Sequence, residues 1–528
     1  MKHSGSQRAP VPGPRTVLPP PDEGLRAGEF RTGSRAGEFP AGSRAGGLRT
    51  GPPEGDFSAA SPEGGLRTGK FAGRVTDAAG HLAHQPLTRR SFTAMAAAGA
   101  TALLAAGCGS GSTSTAQPAG LTAAGQLKDP ASPVTITYAG SAYSADDIKP
   151  VLAAFHQAHP TITVDYQSVP FDQFNSVLST RLSRQDSTLD LFDVDMPRTD
   201  AYRVRGWLAD LSSLFPGLSG QVDKMSLEAA TSDGKLVAMP YQTSSQLLYY
   251  NKTLLRKAGI PFPSDQADAR MTWEQVTADA KKAQAAGAKW GLLFDQVNRY
   301  YQLQPLAESL GGGSGATGKG NLTPALENAG WTKAMTWYGS LFKDKVSPRG
   351  VPVAQTPDMF ASGQVAYFPG GPWWAGQFTA EKTLEFGVAA YPYFAGGKAV
   401  TPTGGWSLGL NRATKHAAAA EIFMKFMALD NGGFAQYMPS LSVPPSNTVG
   451  TARFYREPVF SDPRMAGAVD LTKYELANTA TLRARTAGYV EFEDTLGRTF
   501  EDIANGASAA SALASATSTI DSAWAKYR

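Results

Sequence analysis

The sequence predicts an α/β fold, and three observations carry that reading. Strand-like and helix-like patterns alternate from residue 134 onward, no apolar run there reaches membrane length, and the chain holds a single cysteine. Val134-Thr135-Ile136-Thr137-Tyr138 alternates apolar and polar residues, as a strand with one buried face does. Ile148 to His156 carries apolar residues at helical spacing, and Pro160 ends the pattern. Ile162-Thr163-Val164-Asp165-Tyr166 is the next strand, Phe171 to Arg184 an amphipathic helix, and Leu189 to Val194 a third strand. Strand, helix, strand, helix, strand is the sequence form of a parallel sheet. In open sheets of that kind ligands sit beyond the carboxyl ends of the strands, so residues just after Tyr138 and Val194 are candidates.

The middle of the chain repeats the alternation. Thr272 is a suitable N-cap for a helix opening at Trp273-Glu274-Gln275, and Gly287 closes that helix. Trp290 to Phe294 reads as a strand and runs into a polar, aromatic loop from Asp295 to Gln302. Val365-Ala366-Tyr367-Phe368 is another strand. It leads to the turn Pro369-Gly370-Gly371-Pro372-Trp373-Trp374, and a second turn, Gly404-Gly405-Trp406, leads into Ser407-Leu408-Gly409-Leu410.

The first 133 residues read differently. Residues 1–87 are dense in Gly, Pro and Arg and repeat short units such as Arg26-Ala27-Gly28-Glu29-Phe30 and Arg35-Ala36-Gly37-Glu38-Phe39. Such a chain cannot offset the ordering entropy of folding and is expected to be disordered, with a true start downstream of Met1. Residues 88–108 have the layout of an export signal: Arg89-Arg90, an apolar stretch of about 13 residues from Ala94 to Ala106, then Gly107-Cys108. A bilayer core needs roughly 20 residues. The adjacent arginines resemble a twin-arginine signal, and Ala105-Ala106-Gly107-Cys108 resembles a lipobox with Ala105 in the place of the usual larger aliphatic residue. Cys108 is therefore the expected lipidation site, and the Gly/Ser/Thr-rich run beginning at 109 opens a flexible linker to 133.

Composition excludes several classes. The formal net charge of +4 owes much to the leader and is no nucleic-acid signature. One cysteine allows neither an intramolecular disulfide nor a cysteine metal cluster, and His156, His159 and His416 show no metal-ligand spacing. No metal or other cofactor is expected.

Five segments together resemble one family. They are Asp193-Val194-Asp195 leading to Ala201-Tyr202-Arg203-Val204-Arg205-Gly206-Trp207-Leu208; Met239-Pro240-Tyr241 leading to Leu248-Tyr249-Tyr250-Asn251-Lys252; Thr272-Trp273-Glu274; Phe360 to Ala366 leading to Gly371-Pro372-Trp373; and Gly404 to Leu410. In order and spacing they are similar to the extracellular solute-binding proteins of bacterial ATP-driven importers, in particular the carbohydrate-binding, maltodextrin-binding-protein-like group. The resemblance implies a two-lobe, periplasmic-binding-protein-like fold over 134–528 with discontinuous lobes and a hinge. Lobe one would be about 134–241 and 400–446, and lobe two about 247–395 and 447–528. It also implies a non-catalytic, monomeric protein, lipid-anchored at the outer face of the cytoplasmic membrane. That protein would pass a carbohydrate to permease subunits driven by a separate ATPase.

The candidate ligand residues combine position and resemblance. A sugar offers C–H faces to aromatic rings and a rim of hydroxyls to carboxylates, amides and arginines. By the resemblance, Trp373 is the Gly-Pro-Trp tryptophan that stacks on sugar, Tyr301 the loop tyrosine four residues before Pro305, and Arg198 an arginine contacting hydroxyls. Asp195 and Tyr143 follow strand ends; Arg299 and Trp406 lie in the loop and turn described above. Many relatives carry an aspartate before the Leu-Tyr-Tyr-Asn strand where this chain has Ser244. The sugar is therefore expected to differ from theirs or to be held more through Gln242 and aromatic faces. Trp207, Trp273 and Trp331 are assigned to packing. Two further classes stay open: a binding protein for a peptide, polyamine or phosphodiester, and a secreted glycosidase using a pair such as Asp195 and Glu493.

Overall fold

In the computed structural model, the structure describes residues 117–118, 121, 126–141, 143–438 and 443–528. The leader, the signal layout and Cys108 lie outside them, as does part of the 109–133 linker.

Nine strands build two sheets. The first has the order Ile162–Ser168, Val134–Gly140, Leu191–Asp195, Trp406–Leu410, Met239–Pro240. Its first three strands are parallel, with Val134 opposite Ile162 and Tyr138 opposite Leu191. Trp406–Leu410 enters antiparallel and sets Trp406 opposite Asp195. The second sheet has the order Phe386–Ala389, Leu247–Asn251, Val365–Gly370, Trp290–Leu292 and is mixed, with Phe368 opposite Tyr249 antiparallel and Tyr367 opposite Leu292 parallel.

Local chemistry fixes the helices. Ser144 caps Ala145–Ala158 by accepting from the Asp147 amide, Asp146 and Asp147 complement the positive end, and His156 lies in the last turn. Ile148, Val151 and Phe155 form its buried face. Thr272 caps Trp273–Ala285 through the Gln275 amide, as its sequence predicts. The helix Phe171–Ser183 buries Phe174, Leu178 and Leu182 at four-residue steps, which leaves the opposite face free for other work.

Two apolar clusters hold these layers. One lies between the first sheet and the helices Ala145–Ala158 and Ala417–Ala428, with Ile136, Tyr138, Phe155, Leu408 and Phe423 fully buried. The other runs from Phe174, Phe192 and Tyr202 on the other face of that sheet into Tyr249, Trp273, Trp331, Phe368 and Phe492 around the second sheet. Trp273 and Trp331 are fully buried there, and Trp207 packs against the same cluster.

The chain passes between the sheets at 241–246 and returns at 390–405. Ser244 bridges to Gly404, so these crossings run side by side, and Gln242 bridges to Pro445 in a third segment beside them. Asp193 anchors the first sheet beneath them. Its carboxylate is fully buried and accepts from Tyr138 Oη (2.6 Å), Tyr241 Oη (2.8 Å) and the Ser141 amide (2.8 Å). A buried charge is tolerable only with such partners. Here those partners fix the loop after the first strand and the start of the first crossing.

Candidate functional site

A cavity of about 610 Å³ opens between the two lobes. One wall is the free face of the Phe171–Ser183 helix. Phe171, Asn175 and Ser179, with Asp172 and Ser176, repeat every four residues along it. The facing wall is Val490, Glu493, Asp494 and Gly497, at spacings of three and four on the Tyr489–Ala504 helix. Asn298, Arg299, Tyr300 and the segment Val351–Val353 close the rim, and Arg198 reaches in from the turn after the third strand. Rings, amides, hydroxyls and charges of both signs thus surround one space.

Charges also stitch the two walls together. Asp195 holds Arg483 through two bonds, of 2.7 and 2.5 Å. Arg198 Nη2 donates to Glu493, and Tyr489 Oη donates to the other oxygen of that carboxylate at 3.2 Å. Arg299 Nη2 donates to Asp172 at 3.2 Å while its guanidinium lies 4.4 Å from the centre of the Phe171 ring. Burial alone would raise the Glu493 carboxyl, but the charges of Arg198 and Arg483 outweigh it and hold the group below its ordinary value. Burial works against the Arg483 charge, and Asp195, Tyr489 and Glu493 reverse that effect.

The residues singled out in the sequence fall into four places. Arg198 and Arg299 line the cavity. Asp195, Tyr301 and Ser244 meet in a closed seam beside it: Arg483 lies over the Tyr301 ring at 5.1 Å, and the Ser244 and Tyr301 hydroxyls are 3.2 Å apart. Tyr143 and Gln242 form a buried pair, the amide donating to the phenol oxygen. Both tryptophans are half-buried. Trp406 packs edge-on against Phe171 and Phe174, and the Trp373 ring covers Gly371. Beneath the Trp373–Trp374 turn lies Asp295. Burial pushes its carboxyl up to about 7, even though the Trp374 and Trp373 indoles and the Gly371 amide draw it down.

Reading the sequence missed Arg483, Phe171, Asn175 and Tyr489 as parts of this region. The polar face of the Phe171 helix was visible, but a polar helix face ordinarily means solvent. Among the described residues, no group of His, Cys, Asp and Glu is disposed to hold a metal ion, and no helix is long and apolar enough to cross a membrane.

Residues 141–432 match the family described as bacterial extracellular solute-binding protein. This chain belongs to that family. Other members share parts of its sequence. The maltodextrin-binding protein MdxE of Bacillus subtilis is 27% identical over 263 residues, which are 48% of this chain and 60% of that protein. The sn-glycerol-3-phosphate-binding periplasmic protein UgpB of Brucella abortus is 26% identical over 223 residues, 40% of this chain and 48% of that protein. The chain thus spans about half to three-fifths of the length of these curated relatives. The solute-binding fold is matched more widely. The ABC substrate-binding protein Lmo0181 from Listeria monocytogenes, in complex with cycloalternan, superposes with a TM-score of 0.64 at 21% identity, over 74% of this chain and 98% of that one. As a solute-binding protein the chain has two α/β lobes, and the cavity described above lies between them.

Proposed function

We propose that this solute-binding protein captures a neutral carbohydrate, a mono- or oligosaccharide, between its lobes and delivers it to permease subunits driven by a separate ATPase. The observation that carries the reading is the lining of the interlobe cavity. Phe171 offers a ring face, Asn175, Asn298, Ser176 and Ser179 offer neutral polar groups, and Arg198 and Glu493 offer charged ones. That mixture suits a solute with C–H faces and a hydroxyl rim. The maltodextrin-binding relative and the cycloalternan-bound neighbour support the same class.

A second reading, an anionic phosphoester, follows from the glycerol-phosphate-binding relative. The lining argues against it, since Arg198 and Arg299 are outnumbered by Asp172, Glu493 and Asp494. A glycosidase using Asp195 and Glu493 is disfavoured because Arg483 and Arg198 engage these two carboxylates, and Glu493 is held low where a general acid needs a raised pKa. On our reading the protein is non-catalytic.

On this reading Arg198 and Arg299 contact solute directly. Asp195, Gln242, Ser244, Tyr301, Tyr143, Trp373 and Trp406 contribute where the lobes move apart. The lobes would be about 134–241 with 400–446 and about 247–395 with 447–528. Cys108 would carry the lipid that tethers a monomer to the outer face of the cytoplasmic membrane. Cys108→Ala should then abolish membrane fractionation, and unchanged fractionation and N-terminal mass would reject the anchor. A thermal-shift screen of neutral saccharides beside sn-glycerol 3-phosphate tests the solute class, because a ligand that binds only the folded state raises the melting temperature.

A further inference from the structure

Five ion pairs cross between the lobes. From the first-sheet side come Asp172, Asp195, Arg198, Asp200 and Arg205. From the second-sheet side Arg299, Arg483, Glu493, Arg485 and Glu491 meet them in that order. Each side carries both signs: acids at 172, 195 and 200 with arginines at 198 and 205 on one, and the reverse on the other. Exchanging partners between an acid and an arginine on one side would set like charges together, so the pairs favour one closed pairing.

Arg483 joins two of the carboxylates in these pairs. Its side chain is nine-tenths buried. It forks onto Asp195, lies over the Tyr301 ring and comes within 3.8 Å of Glu493. It also packs against Gly404, where a Cβ would stand 2.9 Å from its Nη2. A carboxylate and an aromatic face at the crossing between the lobes are thus satisfied by a side chain of the protein itself. A planar guanidinium is suited to both contacts at once, which a lysine ammonium is not.

We infer that Arg483 is an internal clasp: braced on the Tyr301 ring of its own lobe, it bonds Asp195 of the other lobe and so holds the two lobes closed through protein groups alone, and solute capture proceeds from an equilibrium already biased toward closure. The solute then adds only its own preference for the closed form, and the ratio of closed to open molecules is set in advance by the clasp. The inference does not depend on which solute binds.

The test is a distance measurement by double electron–electron resonance on the full chain without added solute. Spin labels would sit at cysteines replacing the exposed Thr180 and Ala354, beside the cavity on opposite lobes, in a Cys108→Ser background. Wild type should give one short-distance population. Arg483→Ala should raise the ratio of open to closed molecules at least ten-fold. Asp195→Asn should do the same from the other lobe and decides the matter if the first variant fails to fold. A wild type that is mostly open, or variants whose distances superpose on those of wild type, would overturn the clasp. Either result leaves the carbohydrate assignment standing, since that is tested by saccharide binding.

Discussion

Arg198 on one lobe donates to Glu493 on the other, and both side chains line the same cavity. The Arg198 side chain is 3% exposed and that of Glu493 11%, so solvent does little to screen the pair. Neither Nε nor Nη1 of Arg198 has a hydrogen-bond partner in the structure, which leaves two donors beside the cavity.

Removing one partner of such a pair strands the other charge. Arg198→Ala is expected to destabilise the fold by about 3–5 kcal/mol in urea unfolding, and Arg198→Met with Glu493→Leu to recover most of that loss. The Glu493 carboxyl is held below its ordinary value, so the pair stabilises the protein above the unfolded-state pKa of about 4.3. That stability is lost as pH falls through the lower folded-state value. The excess of wild type over Arg198→Ala should shrink on acidification below about pH 4. A constant difference would mean that the pair is not what the substitution disturbs.

Asp295 titrates in the opposite sense. Its folded-state value of about 7 lies above the unfolded value of about 3.9, so the stability that goes with the protonated form is fully present below pH 4 and lost as pH rises through 7. Wild type should lose about 2–3 kcal/mol between pH 5 and pH 8 through this group, at 1.36 kcal/mol per pH unit. Asp295→Asn should flatten that slope, as melting temperatures at the two pH values would reveal.

Phe171 gives the cavity a ring that the fold does not need. It is 37% exposed and is covered on one side by Arg299. Phe171→Ala should weaken saccharide binding by about 1 kcal/mol, roughly five-fold, with little change in melting temperature. Calorimetric titration of both proteins measures this.

Gly371 offers a test of Trp373 from underneath. A Cβ at 371 would come within 2.1 Å of the indole, so Gly371→Ala must displace the ring. If the ring faces solute, the substitution should reproduce the effect of Trp373→Ala, a loss of at least about 1–2 kcal/mol in binding. Unchanged affinity in both would make Trp373 a packing residue.

The α/β class was legible because the first strands and helices obey period two and period 3.6 with little conflict. Ile136 and Tyr138 are buried, and Thr272 caps the helix it precedes. Asp193 could have been found by asking what a carboxylate in an apolar strand must bond. Arg483 could not. It follows a two-residue strand in a run without periodicity, and its partner Asp195 lies 288 positions away. Arg198 and Glu493 are 295 apart. Contacts made by closing one lobe on the other leave no local pattern. The order of the five family-like segments indicates two lobes, but not which side chains meet between them.

The most direct test of the account is calorimetric titration with the saccharide that most raises the melting temperature, on wild type and on Asn175→Ala. Asn175 lines the cavity from one lobe. Saturable one-to-one binding to wild type, weakened ten-fold or more in the variant, is the predicted result. Binding of sn-glycerol 3-phosphate but of no saccharide, or saccharide affinity untouched by the substitution, would contradict it.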